Sequence, residues 1–183
     1  MKQIPKYSLT AIVIHWLAAL MILCAIAMGV YMTGLPMSPA RLKLYNWHKW
    51  LGVTILVLSF VRLGWRATHR PPADLPMPLW QRRAAHISHG LMYALFFAVP
   101  LVGWTYSSAS GFSVVVFGIL PLPDLVAPDK ALADVLKSLH AGLALTLGAV
   151  IALHFAAVIK HQLLNKHDIL SRMVPWMAEK NQA

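Results

Sequence analysis

Charge is scarce in this sequence. Of its 183 residues only 12% are Asp, Glu, Lys or Arg, and 58% are hydrophobic; soluble domains carry about 25% charged residues. A chain so short of charge cannot coat a globular surface with water-compatible groups. That excludes an ordinary soluble domain and makes the bilayer the solvent for most of the molecule. Acids are scarcer still, six in all, and none falls inside the apolar windows except Asp134 at one edge. Without carboxylates, a zinc centre, a di-iron site and a proton pump are all disfavoured. Cysteine is almost absent: Cys24 stands alone in an apolar run. No intrachain disulfide can form, and no Cys cluster can hold zinc or an iron–sulfur centre.

What remains is long apolar runs. A membrane-spanning helix needs about 20 apolar residues, and four windows qualify: Leu9–Tyr31, Trp47–Trp65, His86–Ser107 and Leu132–Leu164. The length is one domain's worth. The start, Lys2 and Lys6 followed by an apolar stretch, resembles a signal peptide. Leu9–Tyr31 is too long for a cleaved segment, so it reads as the first span, kept in the mature protein. Gly34, Pro36 and Pro39 break the chain after the first span. Arg70-Pro71-Pro72, Pro76 and Pro78 break it after the second, and Pro121, Pro123 and Pro128 before the fourth. Phe112–Leu120 is apolar but too short to cross, and is expected at the interface or capping the bundle. No internal repeat or low-complexity tract stands out. The fold class is an all-α membrane protein, a four-helix transmembrane bundle.

The net charge is +10 with nine histidines uncounted. The basic residues sit in short loops beside apolar runs, which the positive-inside rule explains better than nucleic-acid binding does. With the N-terminus cytoplasmic, that side holds Lys2, Lys6, Arg62, Arg66, Arg70, Arg82, Arg83, Lys160, Lys166, Arg172 and Lys180. The other side holds Arg41, Lys43, Lys49, Lys130 and Lys137, so the ratio is eleven to five. Asp124, Asp129 and Asp134 join the minority side. Both termini are expected in the cytoplasm.

Histidines lie where they are costly. Intramembrane ionisable groups are functional candidates by default, and His15, His48, His89, His140 and His154 fall within or at the ends of spans. His86 sits at the edge of the third, and His69 and His167 lie in basic stretches. Alternating spans sort them into two layers: His48 with His140 on the periplasmic side, and His15, His89 and His154 on the cytoplasmic side. Fourteen residues separate His140 from His154, about 3.9 turns and about 21 Å along one helix, so both point to nearly the same face. One helix thus offers an imidazole to each half of the membrane, with His48 and His15 able to complete the two sites. Opposed imidazole pairs are what six-coordinate low-spin haem needs for electron transfer. The chain has no Cys-x-x-Cys-His motif, so any haem is held non-covalently.

Blander readings stand beside these. A single intramembrane histidine is more often hydrogen-bonded to a neighbouring helix than a ligand; two pairs matched in depth are harder to produce by chance. Gly52, Gly142 and Gly90 lie near His48, His140 and His89, where they fit either a flat porphyrin or close helix packing. Trp16, Trp47, Trp50, Trp65 and Trp104 read as an interfacial belt.

The stretches Ile14-His15-Trp16, His48 through Arg62, His86–Tyr93, Leu136-Lys137-Ser138-Leu139-His140 through His154, Lys160-His161 and Leu170-Ser171-Arg172-Met173 resemble the bacterial cytochrome b561 family. That family belongs to the wider group of di-haem membrane cytochromes b, which includes the cytochrome b subunits of nickel hydrogenases and formate dehydrogenases. The resemblance covers nearly the whole chain. It implies a single di-haem domain over residues 1–183 in the bacterial inner membrane, with two haem b groups and ubiquinone or another quinone as acceptor. His48 and His140 correspond to the outer haem's ligands, and His15 and His154 to the inner haem's. His89 is left either as a propionate contact or as the true inner ligand. Ser8, Lys160 and His161 are the quinone candidates, and Arg62 and Arg66 the inner propionate partners; for the basic residues, positive-inside charge is the competing reading. One activity in the family is superoxide oxidase, in which superoxide donates at the outer haem and quinone collects the electron. Arg41, Lys49, Lys130 and above all Lys137 are candidates to steer that anion. The loop Ser110–Leu125, over the outer haem edge, departs from well-known members.

Three functions compete at this point. The first is an electron wire between a periplasmic donor and membrane quinone. The second is a haem-bearing anchor for a periplasmic dehydrogenase or hydrogenase. The third is a haem-free transporter or scaffold, which a colourless pure protein would establish.

Overall fold

The computed structural model describes residues 6–73, 76–163 and 170–174; Lys2, Leu164, Lys166, His167 and Lys180 lie outside them. Four helices carry the fold: α1 Leu9–Thr33, α2 Pro39–Thr68, α3 Leu79–Ala109 and α4 Lys130–Leu163. All four are long and apolar enough to cross a membrane. The chain is a four-helix transmembrane bundle.

Helix ends follow local chemistry rather than hydropathy. Ser8 caps α1 by accepting the Ala11 N–H at 3.3 Å. Ser38 caps α2 through Arg41 N–H at 3.3 Å, with Pro39 in the first turn. Asp129 caps α4 through Leu132 N–H at 3.0 Å. The Ser38 cap explains why α2 begins eight residues before the apolar window at Trp47; α3 begins seven residues before the window at His86 directly after Pro78, whose carbonyl accepts the Gln81 and Arg82 N–H groups at 3.0 and 3.2 Å with no side-chain cap. A window measures which residues tolerate lipid, whereas a helix runs from cap to cap.

Consecutive helices pack side by side, α3 against α4 most extensively, while α1 and α4 touch at few points. The described ends of the chain meet at one end of the bundle, here the terminal end. There the Trp16 indole N–H donates to the Met173 carbonyl at 2.8 Å, and Arg172, only 8% exposed, reaches the Ala73 carbonyl at 2.9 Å.

The opposite, hairpin end is closed by strands β1 Val115–Val116 and β2 Leu120–Pro121, paired antiparallel. Three residues, Phe117, Gly118 and Ile119, join the paired Val116 and Leu120; Phe117 and Gly118 take φ of 52° and 73°, left-handed at the centre of the turn that the Ile119 N–H closes onto the Val116 carbonyl at 3.0 Å. Glycine accepts this freely; phenylalanine does so under strain. The hairpin caps the bundle as the apolar Phe112–Leu120 run suggested. It is pinned to α2 by the Trp50 indole, which donates to the Val115 carbonyl at 2.6 Å.

The core sits midway along the bundle and joins Ile22, Ile55, Met92, Leu95, Phe96, Leu147 and Val150. Four of these repeat one rule: Ile22, Ile55, Phe96 and Leu147 each lie seven residues after His15, His48, His89 and His140. A seven-residue step keeps a side chain on the inward stripe of a packed helix and moves it about 10 Å along the axis. Each inward stripe therefore passes from a histidine to an apolar core residue in two turns.

Candidate functional site

Seven residues further, every stripe carries a second special position. The series are His15-Ile22-Gly29 on α1, His48-Ile55-Arg62 on α2, His89-Phe96-Gly103 on α3 and His140-Leu147-His154 on α4. Because successive helices run in opposite directions, these positions gather at two levels. The hairpin level holds His48, His140, Gly29 and Gly103. The terminal level holds His15, His89, His154 and Arg62.

At the hairpin level, the rings of His48 and His140 stand 6.1 Å apart between centroids, at 86° to each other. They come from α2 and α4, which are not sequence neighbours. Nδ1 of His140 lies 3.0 Å from the Val99 carbonyl. A carbonyl only accepts, so that nitrogen carries the hydrogen and Nε2 keeps its lone pair. Nδ1 of His48 is buried beside the Ala25 carbonyl of α1, outside hydrogen-bonding geometry.

At the terminal level, the rings of His89 and His154 are 5.2 Å apart. His89 Nδ1 donates to the Ala85 carbonyl at 2.7 Å, one turn back on its own helix. His15 is bonded differently: its Nδ1 faces Nη2 of Arg62 at 3.1 Å. A guanidinium only donates, so His15 Nδ1 accepts and the neutral ring carries its hydrogen on Nε2. Arg62 also lies over the rings of Tyr93 and Phe96, at 5.3 and 6.0 Å, and Arg66 over Tyr93 at 5.7 Å. Aromatic faces thus hold two cations within the helices.

Ser8, Lys160 and His161 all lie at the terminal end. Ser8 accepts from the Trp65 indole at 3.3 Å as well as capping α1. Lys160 and His161 occupy the last turn of α4, with Lys160 over the Trp80 ring at 5.9 Å.

The four cations singled out at the hairpin end divide. Arg41 donates to the Leu35 carbonyl at 2.7 Å and to the Tyr45 hydroxyl at 3.2 Å. Lys49 donates to the Ser107 hydroxyl at 3.3 Å and to the Phe112 and Ser113 carbonyls, both at 3.4 Å. Its three N–H groups are thereby engaged in holding the loop. Lys130 pairs with Asp134 at 3.3 Å. Lys137 is exposed and lines a groove of about 430 Å³ with Tyr106, Ser110, Lys130 and Asp134.

Sequence reasoning missed two glycines of this site. A Cβ on Gly103 would come within 2.8 Å of His140 Cε1, and one on Gly29 within 3.3 Å of His48 Cε1. The signal was available: each lies fourteen residues from a histidine on its own helix, the spacing already noted between His140 and His154. The glycines that the sequence did single out, Gly52, Gly90 and Gly142, would put a Cβ within 4 Å of nothing. Close helix packing is therefore not what they serve.

These side chains suit haem b. The donors are neutral imidazoles without carboxylates, and an imidazole nitrogen bonds a transition metal at about 2 Å. Two rings on opposite sides of one metal then stand about 6 Å apart between centroids, the separation His48 and His140 show.

The model of prokaryotic cytochrome b561 matches residues 6–176 of the chain. Cytochrome b561 homolog 2 of Escherichia coli is 31% identical, over 92% of this chain and 91% of that protein. A probable superoxide oxidase of Yersinia pestis is 32% identical, over 93% and 96%. Cytochrome b561 homolog 1 of Escherichia coli is 29% identical, over 93% and 97%. The chain belongs to the prokaryotic cytochrome b561 family and is a multi-pass bacterial inner-membrane protein of electron transfer, for which that membership implies a haem b cofactor.

Proposed function

We propose that the whole chain, residues 1–183, is one di-haem domain that carries electrons between a periplasmic donor and membrane quinone. The terminal end faces the cytoplasm, with both chain termini there, as the eleven-to-five excess of basic residues on that side indicates. The observation that carries the reading is the pair of histidine levels on one unbroken helix, His140 and His154 on α4, about 21 Å apart along its axis. Bis-imidazole haem b supplies one-electron chemistry without an open coordination position.

His48 and His140 hold the outer haem. His15 and His154 hold the inner one, on helices α1 and α4 that touch at few points; for His15 this requires Arg62 to leave Nδ1 for a propionate, so that the ring hydrogen moves to Nδ1 and Nε2 is freed for iron. His89 is the rival for the inner iron. In its favour is the hydrogen bond to Ala85, which leaves Nε2 with its lone pair; otherwise it serves a propionate. Arg62 and Arg66 receive the inner propionates.

Ser8, Lys160 and His161 form the quinone site, with His161 delivering protons from the cytoplasmic side. Two electrons and two protons turn quinone into quinol. The donor is superoxide, which loses one electron to become dioxygen; Lys137, near the face of His140 and three residues before it, draws the anion in. The name of the Yersinia pestis relative, a probable superoxide oxidase, supports this donor.

The deciding experiment is the oxidised and dithionite-reduced visible spectrum of the purified protein, with haem quantified as pyridine haemochrome. Two low-spin haems per chain are expected. His48→Ala and His140→Ala should each remove the same one, and His154→Ala the other. His15→Ala against His89→Ala then identifies the second inner ligand. A colourless protein sinks the reading. Two haems that superoxide fails to reduce, in a protein that copurifies with a large periplasmic subunit, would make the chain an anchor instead.

A further inference from the structure

The outer pair of rings is not held by its own helices alone. His140 of α4 rests on Gly103 of α3, and His48 of α2 rests on Gly29 of α1. The approach at Gly103 is closer than any real side chain allows: a Cβ there would lie 2.8 Å from Cε1, 3.0 Å from Nδ1 and 3.6 Å from Nε2 of His140. The whole imidazole is seated against bare backbone. At Gly29 the same measure is 3.3 Å to His48 Cε1 and 3.8 Å to its Nδ1, a tighter fit than ordinary van der Waals contact.

Four residues before Gly103, the Val99 carbonyl takes the Nδ1 hydrogen of His140 at 3.0 Å. The next residue is Pro100, the proline inside α3. A carbonyl that precedes proline belongs to a tertiary amide and is a stronger acceptor than an ordinary peptide carbonyl. A strong acceptor on Nδ1–H gives a ligating imidazole more anionic character, which favours the oxidised metal.

We propose that Gly103 and Gly29, together with the Val99–Pro100 carbonyl, are positioning residues that fix the perpendicular ring planes of His140 and His48 and thereby set the spectrum and potential of the outer haem. This rests on the reading of those histidines as its ligands. The relative orientation of two axial imidazole planes governs the anisotropy of a low-spin ferric signal: perpendicular planes give one very large g value, and near-parallel planes a rhombic pattern. The ring planes of His48 and His140 stand at 86°. The glycines are what hold them there, since a methyl group at either position would push its imidazole round.

The test uses the full-length, haem-loaded protein with Gly103→Ala, Gly29→Ala and Pro100→Ala, and Gly64→Ala as a control. A Cβ on Gly64 would meet nothing within 4 Å, and Gly64 has no part in the sites above. The readouts are haem per chain, the low-temperature ferric electron paramagnetic resonance spectrum and a potentiometric titration. Gly103→Ala should lose the outer haem or convert its large-g signal to a rhombic one, with the inner signal unmoved. Gly29→Ala should do the same more weakly, and Gly64→Ala should change nothing. Pro100→Ala leaves the glycine seat intact and tests the carbonyl even if Gly103→Ala fails to fold. It should keep two haems while the outer midpoint rises. Unaltered outer signals and potentials in Gly103→Ala and Pro100→Ala would overturn the proposal, as would an equal change in Gly64→Ala. Failure of the ligand reading looks different: His48→Ala and His140→Ala would leave both haems in place.

Discussion

Arg62 and His15 meet across α1 and α2, with Nη2 and Nδ1 3.1 Å apart. Arg62 thus stands on the inward stripe of α2, fourteen residues after His48, where α4 carries a second histidine. Its charge rests against the aromatic faces of Tyr93 and Phe96, with no carboxylate salt-bridge partner among the described residues. On the proposed two-haem reading, replacing it with Gln removes a positive charge from the inner haem's surroundings and should lower that haem's midpoint. The expected drop is on the order of 60 mV, a tenfold change for a one-electron couple. Arg62→Lys should retain much of the native value. An inner midpoint that stays put in Arg62→Gln would refute the assignment.

Lys49 clamps the outer loop through the Ser107 hydroxyl and the Phe112 and Ser113 carbonyls. Hydrogen bonds to a charged group contribute about 1.5–3 kcal/mol each when intact. Lys49→Met should therefore lower the thermal midpoint and open the 110–125 loop to protease before the rest of the chain. If the loop stays as resistant as in the parent, the clamp is not what holds it.

Trp16 links the two described ends of the chain through its bond to the Met173 carbonyl while its ring meets that of His15 edge-on, 5.3 Å between centroids. Trp16→Phe keeps the ring packing and deletes the N–H. The expected loss is about 1 kcal/mol, seen as faster proteolysis of the C-terminal segment with haem content unchanged. Loss of inner haem in this variant would mean that the bond also steadies His15.

Lys137 should act on rate rather than on affinity for haem. With superoxide as the donor, Lys137→Gln is expected to slow haem reduction several-fold at low ionic strength, the gap closing at high salt. Arg41→Gln should have a smaller effect, because its guanidinium is committed to Leu35 and Tyr45. Equal, salt-independent rates in parent and Lys137→Gln would remove steering from the mechanism.

Much of this architecture was legible in the residues. The four spans follow from hydropathy because lipid leaves an apolar helix little choice, and alternation of direction alone sorted the histidines by depth. The full lengths of α2 and α3 were less accessible, since their first turns, from Pro39 after the Ser38 cap and from Leu79 after Pro78, lie outside the apolar windows. Which imidazoles touch could not be read from depth. His89 and His154 face each other because α3 and α4 pack closely, and His15 turned instead to Arg62; both depend on how each helix is rotated about its axis. The roles of Lys49 and Arg41 were hidden for a related reason. A lysine beside a histidine shows only its charge in the sequence; the loop that Lys49 also holds is set by the fold. Gly29 and Gly103 were not legible because closeness to a histidine along the chain is no guide to them: each lies fourteen residues from the histidine of its own helix and meets a ring from a neighbouring one.

The layer formed by Ile22, Ile55, Phe96 and Leu147 has a consequence for bioenergetics. It is an apolar septum between the two imidazole levels: these four buried side chains offer protons no carrier group, while an electron can tunnel through them. On the proposed route each electron therefore crosses most of the membrane uncompensated, and the protons that make quinol are taken up from the cytoplasm. Moving one charge through the full potential is worth about 2.3 kcal/mol per 100 mV. Inward electron flow runs against a field that is negative inside, so an energised membrane brakes this protein and a collapsed one releases it.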